Sequence, residues 1–190
     1  LIEHNKRRDG VILKFDESNL VRSYTLLSED QKRNNFFDYE ENSFSTSPIN
    51  TYNKLNDDEL FLNQFKRASS LLEAFRNGDL PVAKVFDMQK IAKLFAISDL
   101  IGDPHNLKWK NIKFYYNPVT SLLEPIGYDQ HHPILPLHHV LGENRNLNKV
   151  NANEVLWEEL FFYDQEFFTQ YINCLNEVSQ EQYLNDFFDK

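Results

Sequence analysis

The 190-residue chain carries 29 acidic and 20 basic side chains, a net charge of -9, and 41% hydrophobic residues that include 16 Phe. This length suits one domain with a sizeable core, and the acid excess argues against a nucleic-acid partner, since phosphate backbones need clustered Lys and Arg. No run approaches the ~18 apolar residues of a membrane span, and the lone Cys174 allows neither an intrachain disulfide nor a Cys-based zinc site.

No signal peptide is evident. The chain starts at Leu1 rather than Met, so it reads as a processed or cut piece, which leaves a removed leader and an extracytoplasmic or cell-surface location open. A short basic stretch over residues 1–8 ends at the turn signal Asp9-Gly10. Residues 11–15 then read as a strand that stops at Asp16-Glu17-Ser18. Lys14 reads as an edge-strand lysine facing water in preference to a nucleotide lysine. Residues 28–56 are polar and punctuated by Phe36, Phe37, Tyr39, Phe44 and Tyr52, and read as a long insertion loop.

A helix is expected over 57–77. Asn56-Asp57-Asp58-Glu59 supplies capping oxygens and negative charge at its start, apolar residues from Leu60 to Phe75 recur at helical spacing, and Gly78 stops it. Asp87 caps a second helix, 88–101, apolar on more than one side and therefore central. Asp99 near its end is either at the helix surface or paired and functional. Strands over 112–116 and 122–126 flank the turn Asn117-Pro118-Val119-Thr120. In such a hairpin the far ends meet, so Asn111 at its entrance and Asp129 after its exit are expected close together. His131-His132 and His138-His139 follow in a Pro-rich link, without the spacing of a dedicated metal site. An Asn-rich loop, 142–153, leads to amphipathic helices over 154–162 and 164–188.

A polar loop, a hairpin and a lone acid in that order match the layout of a nucleotide–metal site in protein kinases. Phosphoryl transfer needs a carboxylate to orient the attacking hydroxyl, and an Asn and an Asp to hold Mg²⁺ against the phosphates. Mg²⁺ takes hard oxygen ligands and keeps several waters, which suits Asn111 and Asp129. The kinase pattern H-R-D-x-x-x-x-N falls here on Pro104-His105-Asn106-Leu107-Lys108-Trp109-Lys110-Asn111. Asn106 occupies the base position, and Asp103 is the nearest acid, three residues earlier.

Three stretches resemble the CotH-type kinase family: LIEHNKRRDGVILKFDE its small-lobe end, VFDMQKIAKLFAISDL the helix before its catalytic loop, and GDPHNLKWKNIKFYYNPVTSLLEPIGYD the loop, hairpin and metal-binding Asp. The resemblance implies an atypical protein-kinase fold of α+β class. Residues 1–56 would be a small-lobe remnant plus the polar loop, and 57–190 a mainly helical lobe with the catalytic-loop hairpin. It implies ATP and Mg²⁺ as cofactors and a protein as substrate. Asp129 would be the metal Asp, Asn111 the loop Asn, Asn106 a further cofactor contact, and Asp103 the loop acid with Asp99 as fallback. Asp129 lacks the second acid of the family's frequent Trp-Asp-x-Asp pattern, and the family's phosphate-binding lysine lies upstream of residue 1. The alternative is a kinase-like interaction or scaffold module without catalysis. In that case Asp103-Pro104 starts a turn, Asn111 bonds turn backbone and Asp129 caps the following link.

Overall fold

Alternation sets the sheet. In β1 (Ile12–Phe15), Leu13 and Phe15 are buried while Ile12 and Lys14 are half-buried on the other face. The computed structural model describes residues 9–28, 44–52, 58–103, 105–127 and 157–188. Among these, β1, β2 (Ile49–Thr51), β3 (Lys113–Asn117) and β4 (Leu122–Ile126) form an antiparallel sheet of order β2-β1-β3-β4. The protein is of α+β class.

The edge-strand reading of Lys14 is corrected, because β1 is bordered by β2 and β3. Lys14 instead lies opposite Asn50 on one neighbour and Lys113 on the other. The sheet takes two strands from each side of residue 57, and β2 lies inside the stretch read as loop. The polar composition of 28–56 hid that strand. It is pinned from outside: the Arg76 guanidinium donates to the main-chain oxygens of Phe44 (3.1 Å) and Ser47 (2.7 Å) and lies against the Phe15 and Phe44 rings.

A helix that the sequence reading did not assign, α1 (Ser18–Leu26), follows β1 directly. Asp16 serves both elements. It ends the strand, and its Oδ1 accepts from the Ser18 amide (2.9 Å) and hydroxyl. These two bonds, the hydroxyl first, together with the charge of Lys14, hold its carboxyl below the usual range. Helix α2 (Glu59–Arg76) starts as expected, with Asp58 accepting from the Leu60 amide at 2.8 Å. Gln64, Ala68, Leu72 and Phe75 form its buried stripe, and Gly78 takes φ +77° just beyond its end. The apolar link after Pro81 is a short helix, α3 (Val82–Val85).

Asp87 caps α4 (Met88–Leu100), which packs along α6 (Gln165–Val178). Asp164 secures two helix starts, accepting from Glu166 and Phe167 of α6 and from Val82 of α3. The single helix expected over 164–188 is divided into α6 and α7 (Glu181–Phe188). At the break, the Ser179 hydroxyl and the side-chain Nε2 of Gln180 both donate to the Asn176 carbonyl, an alternative to continuing the helix. Of the expected 154–162 helix, α5 (Glu159–Phe162) is described. Residues 1–8, Asn56, Asp57, His131, His132, His138, His139 and the 142–153 loop lie outside the described residues.

The sheet's buried face and the helices meet on aromatic rings. Trp157 makes edge contacts with Phe15 (5.1 Å between centroids), Phe75 (5.6 Å), Phe114 (5.9 Å) and Phe161 (5.2 Å). Gly10, at the entry to β1, has no room for a side chain: a Cβ there would lie 2.4 Å from the Tyr116 carbonyl oxygen and 2.7 Å from the Tyr115 ring. The Val11 carbonyl bonds the Tyr116 amide at 2.9 Å, so backbone must move to relieve the clash. Gly10→Ala is expected to lower unfolding free energy by about 1–3 kcal/mol in urea titration. A neutral result would show that β1 and β3 do not approach this closely.

Candidate functional site

The loop between α4 and β3 is shaped from its first residue. Gly102, at φ +67°, turns the chain out of α4. Its amide bonds the Asp99 carbonyl (3.0 Å) and the Asp103 amide bonds the Ser98 carbonyl (2.9 Å), the paired closure of a Schellman motif. Asp103 is thereby set at the mouth of the loop, where its Oδ1 accepts from the His105 amide at 3.0 Å and starts the single turn His105–Leu107. Asp103 is 1% exposed, and its second oxygen takes no hydrogen bond from a described residue.

Asn106, in the kinase base position, is fully buried. Its carboxamide lies 3.0 Å from the Ser98 hydroxyl, which also reaches the Leu94 carbonyl at 2.9 Å. One hydroxyl proton cannot serve two acceptors. Turning the carboxamide over lets Nδ2 donate to Ser98 Oγ while the hydroxyl keeps Leu94, and so gives a partner to an Nδ2 that otherwise has none. In either orientation Asn106 braces the loop against α4.

Asn111 closes the loop: its Nδ2 donates to the His105 carbonyl at 2.9 Å. Its Oδ1, the atom able to ligate a cation, takes no hydrogen bond from a described residue. Lys108 and Trp109 fasten the loop to the body. Trp109 is buried against the Phe15 ring, and Lys108 Nζ lies 2.5 Å from Glu158 Oε1. Asp99 is not part of this group. It lies on α4 and accepts from the hydroxyl of Tyr171 on α6, so it is paired there.

The hairpin has the expected form. Lys113 pairs with Ile126 and Asn117 with Leu122, while Asn117 Oδ1 accepts from the Val119 amide at 2.9 Å and Ser121 takes φ 59°. Asn111 precedes the ladder on one strand, and Gly127 is the last described residue on the other. Asp129, the expected partner of Asn111, lies outside the described residues. Among the described residues no group of three His, Cys, Asp or Glu side chains gathers to hold a metal ion.

The structure thus brings Asp103, Asn106 and Asn111 into one loop and sets Asp99 apart. Sequence reasoning missed Lys113, whose Nζ lies 3.4 Å from the Asn111 carbonyl and 5.2 Å from the Tyr52 ring centre. Its position two residues after Asn111 was visible, but its neighbours across the sheet were not. It also missed Glu124, buried on β4 and held by Lys90 (2.8 Å) and Asn117 (2.7 Å). No family model, curated protein or solved structure matches the chain.

Proposed function

We propose that this chain belongs to a CotH-like, ATP-dependent protein kinase that works with Mg²⁺. The observation carrying the reading is the state of Asn111. Its amide nitrogen is spent on the loop backbone, which orients the side chain, while its oxygen is left for a ligand. An amide oxygen and a carboxylate are the hard donors that Mg²⁺ prefers, so Asn111 and Asp129 would hold it. The bound cation would neutralise charge on the β- and γ-phosphates of ATP. Asp103 would orient the protein substrate's hydroxyl. The γ-phosphoryl group would pass to the hydroxyl oxygen as its bond to ADP breaks, and Asp103 would take up the hydroxyl proton.

A second reading, a kinase-like module that binds partners without catalysis, draws on Asp103 and Asn106. The acid is 1% exposed with one oxygen spent on the His105 amide, and the residue in the base position is an enclosed Asn.

The test is thermal unfolding of the full-length protein with and without ATP and Mg²⁺. A nucleotide at about 100 times its Kd stabilises by about 2.7 kcal/mol. That gain is expected only with Mg²⁺ present, and is expected to vanish in Asn111→Ala and Asp129→Ala. No shift at millimolar Mg·ATP would remove the kinase reading. A shift without phosphate transfer to protein, unaffected by Asp103→Asn, would leave the binding module.

A further inference from the structure

We infer that Asn77-Gly78, at the end of α2, is a modification site: spontaneous deamidation turns Asn77 into isoaspartate there, and the closure of the helix end holds the reaction back until that end opens. Of the chain's five glycines only Gly78 follows an asparagine. Glycine puts no side chain in the way of its own nitrogen, which leaves that nitrogen free to approach the preceding carboxamide. Asn77 and Gly78 are both exposed, and a Cβ built on Gly78 would meet nothing within 4 Å. The Asn77 side chain makes no hydrogen bond to a described residue. Water therefore reaches the pair, and no described residue holds the carboxamide in place.

The reaction needs only water. The Gly78 main-chain nitrogen attacks Asn77 Cγ, the Cγ–Nδ2 bond breaks, and ammonia leaves with the amide proton. The product is a five-membered imide. Water then opens it at either carbonyl. Opening at Cγ gives aspartate; opening at the main-chain carbonyl carbon gives isoaspartate, with the chain rerouted through Cγ. The folded helix end opposes the first step twice. A flat ring needs the Gly78 nitrogen over Asn77 Cβ, but at ψ -5° it lies over the Asn77 nitrogen instead. The Gly78 N–H is also tied to the Phe75 carbonyl at 3.0 Å. With the Asp79 amide on the Ala74 carbonyl (2.8 Å), that bond makes the Schellman closure that must open first.

The consequence reaches the sheet. Isoaspartate adds one atom to the main chain and a carboxylate at a helix C-terminus, where the backbone carbonyls already carry negative charge. The Gly78 and Asp79 amides then lose their register with the Phe75 and Ala74 carbonyls. Arg76 stands one residue before the change. Its guanidinium holds the Phe44 and Ser47 carbonyls and pairs with Glu73, so a loosened last turn releases the segment before β2.

The test compares the full-length protein held folded in buffer with the same protein held unfolded in guanidinium chloride, at one pH and temperature. Peptide mapping by chromatography and mass spectrometry follows isoaspartate at position 77. Folded protein is expected to convert roughly tenfold or more slowly, since only the open fraction reacts. Asn77→Ser, which lacks the carboxamide, should gain none at this position. Equal rates in the folded and unfolded chain would overturn the protection, and no isoaspartate in the unfolded chain would overturn the site. Anion exchange separates the modified protein by its added charge, and hydrogen exchange on that fraction reads the effect on β2. The Ser47 amide, bonded to the Phe44 carbonyl, and the Asp16 amide, bonded to the Pro48 carbonyl, are expected to exchange about tenfold faster than in the unmodified protein. Asn77→Asp carries the charge without the extra main-chain atom and is expected to move them less. Unchanged exchange in the isoaspartate fraction would overturn the link to β2.

Discussion

Trp157→Ala is expected to destabilise the protein by about 3–5 kcal/mol, the range for deleting a large buried ring. Trp157 is 1% exposed and stands where the sheet meets the helices. Phe15 and Phe114 reach it from β1 and β3, Phe75 from α2, Phe161 from α5, and Phe44 from the segment before β2. Its loss removes ring contacts from five elements or segments at once, and rings anchored on separate backbones collapse into the gap only in part. Typical domains have about 5–15 kcal/mol in total, so this is a large fraction. Trp157→Phe is expected to cost much less. It leaves a smaller cavity and also removes the indole N–H, a buried donor without a hydrogen-bond partner among the described residues. Urea unfolding of both variants measures the difference. A Trp157→Ala loss below about 1 kcal/mol would show that this ring does not fill the junction.

Lys108→Met is expected to cost about 3 kcal/mol and to loosen the candidate loop. Glu158 is 5% exposed, and its Oε1 meets Lys108 Nζ at 2.5 Å. Removing the cation leaves the carboxylate buried without that countercharge. Breaking such a pair from one side commonly costs about 3–5 kcal/mol, and the partial exposure of Lys108 places this case at the lower end. Replacing both partners, Lys108→Met with Glu158→Gln, is expected to recover much of the loss, because no uncompensated charge remains. Hydrogen exchange gives the local readout. The amides of Asn111 and Ile112, both bonded to the Lys108 carbonyl, are expected to exchange faster in Lys108→Met. Full protection of these amides together with an unchanged midpoint would show that the pair does not hold the loop.

Much of the helical and turn structure was legible because its causes are local. Asp58 and Asp87 stand within three residues of the amides they accept from. Gly78 ends α2 through its own backbone angle, and Asn117 folds the hairpin by bonding two residues ahead. The misreadings have a shared cause in reverse. Asp16-Glu17-Ser18 ended a strand and also began α1, which no single-purpose reading of those residues reveals. Ser179 and Gln180 broke a helix whose apolar spacing ran on unbroken.

Of the candidate site, the loop residues and the hairpin were readable, and their partners were not. The amino-acid order by itself determined where Asp103, Asn106 and Asn111 fall relative to the helix end and the strand start, since caps, turns and strand alternation act over a few residues. Only the tertiary structure decided that Asp99 meets Tyr171, that Asn106 turns inward to Ser98, and that Lys14 sits across from Lys113. The reason is that strand order and helix packing are chosen by which apolar faces bury one another across long chain separations. The polar side chains on the other faces receive their neighbours as a consequence of that choice.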